Sequence, residues 1–69
     1  MKQVIEVWYN GYRRELSYGS QFIRMFHFLG TEKEAITEAS VIKEENNDMF
    51  DRMDRDMRCG VSVNGNVVY

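Results

Sequence analysis

The chain has no proline, one cysteine and one histidine among its 69 residues. A lone Cys59 excludes an internal disulfide, and with His27 as the one histidine no Cys/His zinc cluster can be assembled. Disulfide-stapled and zinc-finger scaffolds, common supports for chains this short, are therefore excluded. No apolar run approaches the roughly 18 residues of a membrane span, and no signal-peptide pattern follows Met1. The expected setting is a reducing cytoplasm, with no membrane partner. Without proline, tight turns fall to Gly and Asn.

What is present is enough to fold. Hydrophobic residues make up 43% of the chain and charged residues 29%, a balance that predicts order. A domain of this size still buries only about 60% of its unfolded surface, so its stability is expected to be marginal. The net charge is −2 and unevenly spread: residues 1–30 sum to +2 and residues 31–59 to −4. A net-acidic chain argues against strong nonspecific nucleic-acid binding, which depends on neutralising phosphates.

The first thirty residues predict a three-stranded antiparallel meander over about 3–9, 12–18 and 21–28. Asn10-Gly11 fits a type I′ turn, which needs positive φ at both central positions, and Gly19-Ser20 fits a type II′ turn. These turns set Val7 against Arg14 and Glu15 against Arg24. Alternation then gathers Val4, Trp8, Phe22, Phe26 and Phe28 on one face, interleaved with Arg13 and Arg24.

A capping box, Thr31 with Glu34, opens a long amphipathic helix over about 32–58, with Gly60 as the expected stop. Ala35, Ile36, Ala39, Ile42, Met49, Phe50, Met53 and Met57 fall within an arc of about 140° at 100° per residue. The shared phase predicts continuity through Glu44–Asp48. Such a helix would be about 40 Å long and would overhang strands of about 20–27 Å. Asn46 sits within the stripe, where a single Asn could set register in a helix pair. Residues 61–69, with Asn64-Gly65, predict a short C-terminal hairpin or strand. The fold class is α+β in a single domain, 1–69.

No catalytic set and no metal site emerges. His27 has no nucleophile or acid placed beside it by a recognised motif. Cys59 follows a helix C-terminus, which does not lower a thiol pKa. The run Asp51–Arg58 reads as i,i+4 ion pairs on a solvated face. The expectation is a non-enzymatic protein with no cofactor and no small-molecule substrate.

Trp8, Arg13, Arg24, Phe22, Phe26 and Phe28 are the candidate partner-binding set. Trp, Phe and Arg are enriched at protein interfaces. The same set could stack unpaired bases, which makes a single-stranded nucleic-acid-binding module the alternative. It could also be core beneath the helix. Asn46, Met49, Phe50, Met53 and Met57 form the candidate helix interface, toward a host protein or a second copy.

The opening Val4-Ile5-Glu6-Val7-Trp8 strand, Gly11-Tyr12-Arg13 with Glu15 following, and the acidic helix resemble small early proteins of T-even-type phages, among them the antitoxin family called discriminator of mRNA degradation. The likeness covers the layout of most of the chain and few identities. The C-terminal hairpin and aromatic third strand depart from it. The resemblance implies a small non-enzymatic protein in the host-cell cytoplasm that blocks a larger host protein, as an antitoxin or counter-defence factor does.

Overall fold

The segment from Lys2 to Gly11 is rich in β-branched and aromatic residues and forms a strand, β1 (Lys2–Gly11), with Gln3, Ile5 and Val7 buried in alternation. The computed structural model describes residues 1–11, 20–55 and 57–69; the side chains of residues 10, 11 and 20–23 also lie outside that description. Within the described residues follow β2 (Ser20–Leu29), α1 (Glu32–Arg52), β3 (Met57–Val63) and β4 (Asn66–Val68). The class is α+β: one helix and one antiparallel sheet in the order β2-β1-β3-β4.

This sheet differs from the expected meander. Val7 lies between Arg24 of β2 and Val61 of β3, not opposite Arg14. Asn10 and Gly11 are strand residues paired with Arg58 and Met57, not a turn. The expected strand over 12–18 and its turn at Gly19 lie outside the described residues. The physical reason is competition for β1. The apolar β3 segment offers seven residues of ladder on one side, and β2 occupies the other. A local Asn-Gly preference of about 1 kcal/mol cannot outweigh those two ladders.

The new register changes the faces. Ile5 opposes Phe26 and Val63, so odd residues of β1 share a face with even residues of β2 and odd residues of β3. That face carries the core: Ile5, Val7, Cys59, Val61 and Val63 are buried, with Tyr9, Phe26 and Phe28 packed at its margin.

The helix covers this face, lying over β3 and β1 rather than over β2. It begins as read from sequence: Thr31 Oγ1 accepts from Glu34 N at 3.1 Å, and Glu34 Oε1 accepts from Thr31 N at 2.9 Å. It runs unbroken through Glu44–Asp48. It stops earlier than expected. Asp54 takes a left-handed φ of 54°; its N–H donates to Asp51 O, and the Arg55 N–H donates to Phe50 O. That pair of bonds is a Schellman motif, with Asp in the position glycine usually holds. Asp tolerates this conformation better than most side chains. Ending there frees Met57–Val63 for the sheet. A 21-residue helix is about 32 Å long and a ten-residue strand about 33 Å, so the expected overhang is absent.

The turn from β3 to β4 is the two-residue pair Asn64-Gly65, both at positive φ (51° and 87°), as a type I′ turn requires.

Candidate functional site

The reverse face of the sheet has no helix over it among the described residues. It carries Val4, Glu6 and Trp8 from β1, Met25, His27 and Leu29 from β2, Gly60 and Ser62 from β3, and Val67 from β4. Met25 is 61% exposed, Leu29 73% and Val67 46%. The register places Glu6 and Ser62 between Met25 and Val67, and His27 between Met25 and Leu29, so this is a mixed apolar and polar surface. Trp8 anchors it. It pairs with Gly60, and its indole lies so close that a Cβ at Gly60 would collide with the ring. The missing side chain is what lets the indole lie flat on the sheet.

The structure separates the predicted partner-binding residues. Trp8 stands on the open face, whereas Arg24, Phe26 and Phe28 belong to the helix side. Arg24 lies over the Phe26 ring at 5.9 Å from its centroid, a cation–π contact within β2. The backbone register puts Phe22 opposite Tyr9. Arg13 lies outside the described residues. The aromatic–arginine face expected from sequence is therefore not one face, because direct β1–β2 pairing shifts the parity by one residue.

The predicted helix interface is likewise divided. Phe50 is buried and meets the Tyr9 ring edge-on at 5.7 Å. Asn46 is half-buried between helix and sheet: its Nδ2 donates to Ile42 O at 2.7 Å, and its Oδ1 accepts from Tyr9 Oη at 3.3 Å. It contacts the sheet rather than a second helix. Met49 (40% exposed) and Met53 (52%) lie at the edge of the stripe, and Met57 starts β3, not the last helical turn. Among the described residues Asp51 pairs with Arg58, at 2.7 Å, in place of the expected i,i+4 partner Arg55.

Sequence reasoning passed over Asn47, yet Asn47 finishes the sheet. Beyond β4 the outer edge of β3 has no strand partner among the described residues. There Cys59 N donates to Asn47 Oδ1 at 2.7 Å, and Asn47 Nδ2 donates to Cys59 O at 3.4 Å. One side-chain amide thus does what a further strand residue would do. Lys43 Nζ adds a donor to Val68 O at 3.4 Å. Asn64 plays a similar part at the other end: its Oδ1 accepts from Val4 N and its Nδ2 donates to Gln3 Oε1. No local pattern marks these amides, because their partners are 12 to 61 residues away.

Burial pushes the Cys59 thiol up, against smaller downward pulls from Lys43 and Arg24. A neutral buried thiol is a poor nucleophile. Among the described residues no three His, Cys, Asp or Glu side chains are grouped to hold a metal. No helix is long and apolar enough to cross a membrane.

No protein-family model, curated protein or solved structure matches the chain.

Proposed function

We propose that this chain is a small non-enzymatic binding protein that inhibits or regulates a larger host protein through the open face of its sheet. The observation that carries the reading is the exposure of Met25, Leu29 and Val67 on a face built around Trp8. Apolar side chains interspersed with Glu6 and His27 give the mixed character of a protein interface, with Trp8 as an anchor of the kind that dominates binding energy. The likeness to small phage early proteins supports an antitoxin or counter-defence role in the host cytoplasm. The single-stranded nucleic-acid alternative has less to stand on, since Trp8 and Arg24 occupy opposite faces.

The test is capture of a host protein by the full chain, repeated with Leu29→Glu/Val67→Glu. The expected result is one protein retained by the native chain and lost from the variant, with unchanged circular dichroism. Equal capture by both would overturn the reading. Quenching of Trp8 fluorescence by oligonucleotides at low salt would favour the alternative instead.

A further inference from the structure

The sheet has one long edge, β2, that nothing described closes, and its backbone geometry identifies what fits there. Val4 exchanges bonds with Asn64 on the β3 side of β1, while Gly30 N donates to Met1 O on the β2 side. Along a strand, successive residues turn their N–H and C=O groups to opposite edges. Glu6 and Trp8 therefore face β3, and Gln3, Ile5, Val7 and Tyr9 face β2. Their β2 partners Phe28, Phe26, Arg24 and Phe22 turn inward. That leaves the backbone groups of Ile23, Met25, His27 and Leu29 directed outward, with no partner among the described residues.

Nothing in β2 protects this edge. Exposed edges are usually kept apart by Lys, acids, Pro, short length or a covering element. β2 is ten residues long and contains no Lys, acid or proline. Its one charge, Arg24, is drawn over Phe26 on the helix side. The helix lies mainly over β3 and β1, and β2 reaches the core through Phe26 and Phe28 on its inner side.

We propose that β2 pairs antiparallel with β2 of a second copy of this chain, about a two-fold axis beside Met25 and Phe26, joining the two sheets into one. Outward-facing residues must meet outward-facing residues, which limits the register. Two registers satisfy this near the strand centre: Met25 against Met25 of the second copy, or Met25 against His27 of the second copy. In both, Arg24 faces an aromatic ring, Phe26 or Phe28 of the second copy, and no like charges are opposed. The register that would oppose Arg24 to itself is disfavoured. A second copy is the fitting occupant because β2 offers a ten-residue edge that matches itself, whereas the opposite edge strand, β4, is only three residues long. Such a pairing is self-complementary and ends at a dimer instead of growing into a fibre.

The inference concerns the edge of the sheet and is separate from the proposed role of its face. Light scattering of the native full chain over a concentration series should give twice the chain mass. Met25→Lys, which sets two ammonium groups directly opposite each other in the first register and diagonally across the axis in the second, should weaken the dimer by about tenfold or more with its circular dichroism intact. An equimolar mixture of Met25→Lys and Met25→Glu should recover it. In the native protein the Met25 and His27 amides should exchange slowly despite lying on the outer edge of each chain. A native mass of one chain at every concentration would overturn the proposal. So would fast exchange at both amides, a Met25→Lys dimer of native strength, or no recovery in the mixture. A monomer that still captures its host protein would refute the dimer and leave the reading of the open face intact.

Discussion

The two sides of β1 are built differently. On one side, β3 and β4 lie under the helix, Val61 and Val63 are buried, and backbone groups of Cys59 and Val68 are met by Asn47 and Lys43. On the other, β2 is longer and, among the described side chains, touches the core only through Phe26 and Phe28, and Met25 and Leu29 are open to water. The β3 side is tied down by side chains from the helix, whereas the β2 side carries the edge on which the proposed second copy would pair. A chain of 69 residues has one helix to spend as cover, and it covers one half of the sheet well.

The comparison can be broken most severely at Phe50. Phe50→Ala removes the ring that joins helix to Tyr9 and should cost about 3–5 kcal/mol, enough to unfold much of a marginal domain. A denaturant titration measures it. Asn47→Leu should cost less, about 1–3 kcal/mol, because the Cys59 N–H and C=O lose their partner at the closed edge. It should also make the β3 edge resemble that of β2, so light scattering is expected to show larger assemblies.

Thr31→Ala sharpens the contrast more gently. It removes the cap that holds the helix start and should cost about 1 kcal/mol. The hydrogen bonds from Thr31 to the Glu34 carboxylate hold that carboxyl below its ordinary range. A depressed carboxyl stabilises the fold above its unfolded value, and that contribution is lost as pH falls through the folded value. The native protein should therefore lose this stabilisation on acidification, and Thr31→Ala should lose less over the same range. Thermal melts between neutral and acid pH check the sign. The smallest effect is expected on the open side: Met25→Thr should change monomer stability by no more than about 0.5 kcal/mol.

The start of the helix was legible because a capping box is a contact over three residues, and Thr31 and Glu34 carry it within one turn. Asn10-Gly11 carried the same local signal as Asn64-Gly65 and became strand instead. The difference is not in the dipeptides. At Gly65 the flanking segments pair with each other, whereas at Gly11 the strand is claimed on the far side by Met57. The candidate site was partly legible: Trp8 was singled out, but its company was misread, since a one-residue change of register moves every neighbour to the other face. Asn47 was not legible, because its function exists only where the helix crosses an unfinished strand edge.

By itself, the sequence determined the class of the fold, the start and continuity of the helix, and the absence of staples. These follow from periodicity, capping and composition, which act within a few residues. Tertiary structure alone decided which strand borders β1, where the helix stops, which face is left open and which edge is sealed. Those outcomes depend on contacts across most of the chain, where the gain from pairing β3 with β1 outweighs the local preferences for a longer helix and an earlier turn.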